Sequence, residues 1–275
     1  MLNVRGKLIS IAEPQIMGVL NVTPDSFYAD SRVKDEEILY LRAAQMLNEG
    51  AAWLDLGACS TRPGSTPVEA EMESSRVRFA LSTLRREFGD DVLISLDTFR
   101  ADIARMGVEE YGVAMVNDVT AGQGDSQMFH MVSQLHVPYV LTHNSPQPIQ
   151  GDVVPQVLLS LSEDLKALRE LGVADVVIDP GFGFGKTLEQ NYLLMARLND
   201  FHELGCPVMV GISRKSMICR LLDVVPADAL VGTIVLNTYS LLHGANFLRV
   251  HDVSEAVQAL KIVTAIKESI THKPE

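Results

Sequence analysis

Eight polar side chains that could take part in chemistry each follow a short apolar stretch of this sequence. They are Asn21, Asp97, Asn117, His143, Asp179, Lys215, Arg249 and His251. Carboxylates and amides placed together suit a planar, nitrogen-rich ring, because they can bind the donor groups along one edge of it. The candidates for binding such a ring are Asp97, Asn117, Asp179 and Lys215.

A second group of side chains indicates an anionic ligand. Arg62, Arg249 and His251 are cationic or can become so in an otherwise acidic chain, and such groups bind phosphate or pyrophosphate. Asn21 offers an oxygen ligand of the kind that Mg²⁺ accepts alongside water and substrate phosphates. Each cation taken alone is more often a solvated surface charge. His251 has the further alternative of capping or supporting a neighbouring group.

Residues 175–187 join a strand, three alternating glycines and a helix. The ending Gly185-Lys186-Thr187 suggests a nucleotide loop. A P-loop, however, needs four residues between its first glycine and this ending, and Gly181 leaves only three. Two interpretations follow: a plain strand-to-helix turn, or a ligand loop in which Asp179 is the working group. In both, Lys186 has a supporting or structural part.

These residues need elements that bring them to one place. Eight apolar segments, most of them followed by a helical pattern, begin near residues 16, 52, 92, 114, 138, 175, 208 and 247. Strands that alternate with helices form a parallel sheet, so eight units in a chain of this length predict a single (β/α)₈ TIM barrel. An open doubly wound sheet is the alternative. Residues 2–11 predict a short N-terminal β-hairpin, and the barrel would gather the polar strand ends at one rim.

The composition bounds what the protein can do. The chain has 275 residues, of which 47% are hydrophobic and 21% charged, and no linker or repeat divides it, so we expect one domain over residues 1–275. The formal net charge of −12 argues against nucleic acid or an anionic membrane as a partner. Three cysteines without paired spacing, and no apolar run of membrane length, predict a cytoplasmic protein.

Several motifs of this chain resemble those of one enzyme family. Residues 17–27 read MGVLNVTPDSF, and residues 60–64 read STRPG. Later matches lie at residues 179–186, 213–216 and 249–252, so the resemblance covers nearly the whole chain in order. The family is that of the dihydropteroate synthases, which are pterin-binding TIM barrels. The resemblance implies an enzyme that joins 6-hydroxymethyl-7,8-dihydropterin diphosphate to p-aminobenzoate, giving 7,8-dihydropteroate and pyrophosphate.

The resemblance also implies roles for particular residues. The pterin would be held by Asp97, Asn117, Asp179 and Lys215. The diphosphate would be held by Mg²⁺ on Asn21, together with Arg62, Arg249 and His251. The p-aminobenzoate would be bordered by Arg62, Pro63, Phe184, Lys215 and Ser216. Thr61 and Gly211 complete the implied substrate-binding set. The implied catalytic residues are Asp97, Lys215, Arg249 and His251.

The mechanism implied by the family is dissociative. The C–O bond to the diphosphate breaks first, and the amine of p-aminobenzoate then attacks the pterin-methyl cation. Asp97 would stabilise that cation, while Mg²⁺ and the cationic side chains would take up charge on the leaving group. The family further implies a homodimer, formed through late helices that include residues 236–242, and a target of sulfonamides.

Three segments depart from the family pattern. Residues 28–31 read YADS where a Gly-Gly pair is usual, Cys59 stands where glutamate is common, and residues 142–148 read THNSPQP where Met-His-Met is frequent. The last departure bears on the pterin contact from the fifth strand. It motivates one alternative, a pterin-binding paralogue without turnover. The barrel type leaves a second open, a pterin-dependent methyl-transfer module, which would need a corrinoid-binding partner domain.

Overall fold

The structure is a computed structural model that describes residues 1–22, 32–59 and 68–271. Side chains are described for all of these except residues 32–34 and 271. The predicted loop residues Thr61, Arg62 and Pro63 lie outside the described residues, as does the departure at residues 28–31.

Eight parallel strands form the centre of the molecule. They are β3 (Gln15–Asn21), β4 (Trp53–Gly57), β5 (Leu93–Asp97), β6 (Met115–Asp118), β7 (Tyr139–Thr142), β8 (Val176–Asp179), β9 (Met209–Val210) and β10 (Phe247–Val250). Their order in the sheet is β8-β7-β6-β5-β4-β3-β10-β9. The two outer strands meet where Ile178 N donates to Pro207 O over 2.8 Å and Ile178 pairs with Val208. The sheet is a nearly closed barrel, which confirms the predicted (β/α)₈ fold.

Nine α-helices of the described residues follow the strands in sequence. They are α1 (Arg32–Glu49), α2 (Ala70–Phe88), α3 (Ala101–Tyr111), α4 (Met128–Leu135), α5 (Val153–Glu170), α6 (Leu188–Ala196), α7 (Ser216–Leu222), α8 (Leu230–Leu242) and α9 (Val253–Thr271). The strands are mostly apolar and buried, since one face meets the barrel interior and the other meets these helices. No described helix combines the length and the apolar character that crossing a membrane requires.

The N-terminal hairpin belongs to the core of the barrel. Strands β1 (Leu2–Val4) and β2 (Lys7–Ile9) pair antiparallel, as the sequence predicted. Leu2 and Val4 are buried in the same cluster as Met17, Trp53 and Phe247, which lie near the beginnings of β3, β4 and β10. Burying an aliphatic side chain of this size stabilises the fold by about 1.5–3 kcal/mol. The hairpin therefore covers the end of the barrel opposite the rim that carries the polar residues.

Candidate active site

Three of four adjacent strands place a polar side chain at the carboxyl-terminal rim, and the fourth places a glycine there. Asn21 lies opposite Gly57, Gly57 opposite Asp97, and Asp97 opposite Asn117 in the sheet register. A Cβ added to Gly57 would lie 2.9 Å from Asn21 Oδ1 and 3.7 Å from Asp97 Oδ2. The glycine therefore leaves the space that the neighbouring amide and carboxylate occupy.

Arg249 on β10 bridges two carboxylates, one on β4 and one on β5. Its Nε donates to Asp55 Oδ2 over 2.6 Å, and its Nη2 donates to Asp97 Oδ2 over 2.7 Å. Asn117 Nδ2 donates to the same Asp55 oxygen over 3.1 Å. These four residues form what we call the Arg249 cluster. The resemblance had grouped Arg249 with the diphosphate, whereas the structure pairs it with the carboxylates beside the proposed pterin position.

Asp55 is a residue of this site that the sequence reasoning missed. It sits in the middle of β4, where every residue is buried, and it is itself fully buried. A carboxylate inside a buried apolar strand requires a partner, because an unpaired buried charge is very costly. The sequence shows this carboxylate within an apolar stretch, but it does not indicate that the partner is Arg249, 194 residues later.

Each carboxylate of the Arg249 cluster has one oxygen without a hydrogen-bond partner among the described residues. Asp55 Oδ1 and Asp97 Oδ1 are buried, and no described residue gives either of them a hydrogen bond. Burial raises the pKa of Asp97 to about 7, although Arg249 opposes that rise. Buried acceptors of this kind are satisfied when a ligand brings N–H donors to them. The cluster can thus bind a ring edge that carries donor groups.

Asp179 and Lys215 complete the pocket beside the cluster. Asp179 Oδ1 accepts a hydrogen bond from Gly181 N over 2.7 Å, and burial raises its pKa while Lys215 lowers it. Burial lowers the pKa of Lys215 to about 8, and Asp179 opposes that change. A Cβ on Gly211 would lie 3.8 Å from Asp179 Oδ2 and 3.7 Å from Arg249 Cβ. Gly211 therefore lies beside both Asp179 and Arg249.

The remaining predicted residues lie around this pocket. Lys215 Nζ donates to Phe182 O and stands 4.7 Å from the centre of the Phe184 ring. Ser216 is exposed and begins α7. His251 is exposed, and its Nδ1 lies 3.1 Å from Ser213 Oγ. The described residues of the predicted site therefore share one rim, with Phe184, Ser216 and His251 at its edges.

The candidate His143 contacts Lys186 rather than the Arg249 cluster. Its Nδ1 lies 2.9 Å from Lys186 Nζ, and burial and this neighbouring charge lower its pKa to about 4. The adjacent Asn144 donates from Nδ2 to Val119 O over 2.8 Å. The unusual turn after β7 thus contacts its neighbouring loops.

The donor set of the rim fits Mg²⁺ only with help from a ligand. Among the described residues, no three His, Cys, Asp or Glu side chains come together to hold a metal ion. Asn21 supplies an amide oxygen at the end of β3, beside Asp97. Mg²⁺ commonly takes one or two protein oxygens and completes its shell with water and substrate phosphates. Asn21 together with a bound diphosphate would meet that requirement.

The fold and the rim together define a class of protein: a (β/α)₈-barrel enzyme whose site lies at the carboxyl ends of its strands. The family model described as pterin binding enzyme matches residues 17–251. The dihydropteroate synthase of Bacillus subtilis (strain 168) is 36% identical over 253 residues, covering 91% of this chain and 88% of its own. That of Escherichia coli (strain K12) is 35% identical over 271 residues, covering 95% and 94%.

Solved structures agree with these relatives. A Xanthomonas albilineans dihydropteroate synthase with 4-aminobenzoic acid is similar with a TM-score of 0.90 at 36% identity, over 97% of both chains. Another structure of that enzyme, in complex with 7,8-dihydropteroate, has a TM-score of 0.87 at 34% identity, over 97% of this chain and 98% of its own. The chain belongs to the pterin-binding enzymes and, among them, to the dihydropteroate synthase family.

Proposed function

We propose that the protein is a dihydropteroate synthase, which condenses 6-hydroxymethyl-7,8-dihydropterin diphosphate with p-aminobenzoate and releases pyrophosphate. The observation that carries this proposal is the Arg249 cluster beside Asp179 and Lys215, in which each buried carboxylate keeps one oxygen without a hydrogen bond from a described residue. Relatives that match almost the full chain support it, and one of them has been solved both with 4-aminobenzoic acid and with 7,8-dihydropteroate.

The pterin would occupy the pocket between the Arg249 cluster and Asp179. Its N–H groups would donate to Asp97 and Asp179, while Asn117 and Lys215 would bind its acceptor atoms. As the C–O bond breaks, positive charge develops on the pterin methylene group, and the Asp97 carboxylate stabilises it. The same charge is lost when the amine of p-aminobenzoate attacks. This amine is unprotonated at neutral pH, so the step needs no strong base: the positive charge passes to the amine nitrogen as the C–N bond forms, and that nitrogen then releases a proton to solvent.

The diphosphate would lie toward the edge that Asn21, Arg249 and His251 share. Arg249 uses Nε and Nη2 on Asp55 and Asp97, so its Nη1 is the part left to reach a phosphate oxygen. Arg62, outside the described residues, would add a second cation. We propose that Mg²⁺ binds at Asn21 and, when bound, stabilises negative charge on the leaving group.

The p-aminobenzoate would lie across Phe184, with its carboxylate toward Lys215 and Ser216. The Phe184 ring already stands near the Lys215 ammonium, which suits a flat aromatic acid that needs both a ring contact and a cation. Thr61 and Pro63 would border the same position from outside the described residues. Lys215 would thus contact both substrates.

An assay for pyrophosphate release tests this function. We expect release that requires both substrates and Mg²⁺, with 7,8-dihydropteroate formed in equal amount. Tight pterin binding without turnover would instead indicate the non-catalytic paralogue. Binding of methyltetrahydrofolate with no pyrophosphate chemistry would favour the methyl-transfer module. Either result would refute the proposed reaction.

Ser213 is expected to orient the ring of His251. Its Oγ accepts from His251 N over 3.2 Å and lies 3.1 Å from His251 Nδ1, so the hydroxyl hydrogen can donate to Nδ1 and leave the ring hydrogen on Nε2. Ser213→Ala is expected to raise KM for the pterin diphosphate by about three- to tenfold, in line with one lost hydrogen bond, with kcat less affected. Initial-rate kinetics measure this split.

The control for Ser213 is Ser240→Ala, which removes another buried serine hydroxyl, one that donates to Leu236 O in α8. We expect its KM values to match those of the wild type. Ser213→Thr keeps the hydroxyl and is expected to recover most of the affinity. A Ser213→Ala enzyme with unchanged KM would contradict the role of this hydroxyl.

We also propose a homodimer that forms through α8 and α9. These helices contact each other and expose a row of aliphatic side chains: Val231, Val235, Leu242, Ile262, Ile266 and Ile270. An exposed apolar surface of this extent is typical of an interface between subunits. The predicted interface segment, residues 236–242, belongs to α8 and contributes Leu242 to this row.

Val235→Asp is expected to convert the dimer to a monomer, because it places a charge within an apolar interface. Light scattering coupled to gel filtration measures the mass directly. Leu159→Asp is the matched control, since Leu159 is as exposed as Val235 (61% against 60%) but lies on α5. A Val235→Asp protein that stays dimeric, or a wild type that is a monomer, would contradict this interface.

We propose that residues 1–275 act as one domain, supported by a hairpin and barrel strands that share one apolar cluster. We also propose a cytoplasmic location, supported by the free thiols of Cys206 and Cys219, which suit a reducing compartment. Limited proteolysis and cell fractionation would test these two proposals.

A further inference from the structure

The proposed reaction assigns no role to Lys186, which lies in the turn after β8. Its Nζ lies 2.8 Å from Gly181 O, 3.0 Å from Phe184 O, 2.9 Å from His143 Nδ1 and 3.4 Å from His143 O. All four atoms can accept a hydrogen bond. An ammonium group has three hydrogens to donate, whereas a neutral amine would turn a lone pair toward one of these acceptors. The surroundings of Nζ therefore fit a cation.

The partner histidine is suited to accept from this cation. Burial, and then the charge of Lys186, lower the pKa of His143 to about 4, so the imidazole is neutral at physiological pH and Nδ1 can carry a lone pair. Burial lowers the pKa of Lys186 to about 7, and Asp179 opposes that change. The hydrogen bonds to backbone oxygens further favour the charged form of the lysine.

The turns that Lys186 joins also meet through their backbones. Gly181 has φ of +74°, and a Cβ there would lie 1.8 Å from His143 O. Gly185 has φ of +58°, and a Cβ there would lie 1.9 Å from Ser145 O. Only glycine permits such close approach with these dihedral angles. The turn after β8 is thus seated directly on the turn after β7.

The turn after β8 carries two residues of the proposed site. Asp179 precedes the turn and accepts a hydrogen bond from Gly181 N. The carbonyl oxygen of Gly181 in turn accepts one from Lys186 Nζ. Phe184 lies within it, and Lys186 holds its carbonyl oxygen. At the far end, Thr187 and Gln190 form a capping box that begins α6. A displacement of the Lys186 ammonium would release the segment between these two fixed ends.

We propose that Lys186 is a positioning residue whose ammonium clamps the turn after β8 onto the turn after β7, and thereby places Asp179 and Phe184 for substrate binding. The clamp is a property of the free protein, while the substrates concerned rest on the proposed function. On the turn after β7, the clamp uses His143 and the backbone oxygen of Ser145, both of which lie within residues 142–148.

Kinetics of Lys186→Ala test the positioning role. We expect kcat/KM for p-aminobenzoate to fall by about tenfold to a hundredfold, as for a small displacement of binding groups, with most of the change in KM. The atoms removed correspond to n-propylammonium. Adding n-propylammonium chloride should restore part of the loss, relative to sodium chloride at equal ionic strength. Lys186→Met fills the space and should not respond, and the exposed Lys166→Met should resemble the wild type.

Hydrogen exchange measured by mass spectrometry tests the clamp without any turnover. In Lys186→Ala and Lys186→Met, peptides covering residues 143–150 and 180–187 should both exchange faster, and n-propylammonium should reverse this only in Lys186→Ala. Unchanged exchange in both peptides overturns the clamp, as does a loss of kcat/KM below twofold in both variants. If the wild type releases no pyrophosphate but the Lys186 variants still exchange faster than it does, the proposed reaction is refuted and the clamp stands.

Discussion

Asp97→Asn is expected to lower kcat/KM for dihydropteroate formation by about a hundredfold to a thousandfold, comparable to removing one electrostatic group from a catalytic site. The substitution keeps the shape of the side chain and an oxygen that can accept from Arg249 Nη2. It removes the negative charge that we propose faces the developing pterin cation. Pyrophosphate-release kinetics at pH 8 measure the effect, and pterin affinity measured by calorimetry separates binding from turnover.

The same variant is expected to be more stable than the wild type at pH 8. Asp97 has a folded-state pKa of about 7 against an ordinary value of 3.8, chiefly because burial disfavours its charge. The folded state therefore binds the proton more tightly than the unfolded state, so stability falls as pH rises from about 4 to about 7. Asparagine cannot ionise. The gain in unfolding free energy should be about 1–4 kcal/mol at pH 8 and should vanish near pH 4.

Urea unfolding at several pH values measures this gain. Asp102→Asn is the control, because Asp102 is exposed on α3 and pairs with Arg105 at the surface, so we expect its stability profile to follow that of the wild type. An Asp97→Asn protein that is both fully active and no more stable at pH 8 would remove Asp97 from the site. If Asp97→Asn instead loses activity because it is less stable than the wild type, the predicted gain in stability is wrong and the activity loss is no evidence for a catalytic role.

The barrel could be predicted from sequence because each of its strands is short, apolar and followed by a polar group. The ends of the strands were harder to predict from the sequence. Residues 208–212 are almost wholly apolar, yet β9 covers only Met209–Val210, because its pairing with β10 spans just Phe247 and Leu248. Strand length there depends on how two distant segments align, and no local pattern records that alignment.

The rim residues could also be predicted, but their pairing could not. The positions of Asp97, Asn117 and Asp179 follow from the rule that strand ends meet at one rim, together with the family resemblance. The partnership of Arg249 with Asp55 links the last strand to the second strand of the barrel, and the contact between Lys186 and His143 links two turns. Such contacts are set by barrel closure and loop packing, which residue spacing does not encode.

Arg249→Leu is expected to destabilise the fold by about 3–5 kcal/mol at pH 8, as when one partner of a buried ion pair is removed. The change leaves the buried carboxylates of Asp55 and Asp97 without the guanidinium that bridges them. Arg249 lowers the pKa of Asp97, so its removal raises that pKa further. Because the folded state then favours the protonated acid, the loss should be smaller at pH 5 than at pH 8.

A second substitution separates the charge effect from lost packing. Asp55→Asn in the Arg249→Leu background removes one of the two stranded charges, so it should recover about 1–2 kcal/mol at pH 8, a coupling of the size seen between contacting residues. Arg86→Leu is the control: Arg86 is exposed and pairs with Glu36 and Glu87 at the surface, so its loss should stay within about 0.5 kcal/mol. An equal loss for Arg249→Leu at both pH values, with no recovery in the double variant, would mean that packing of the arginine stem, rather than its charge, holds this rim together.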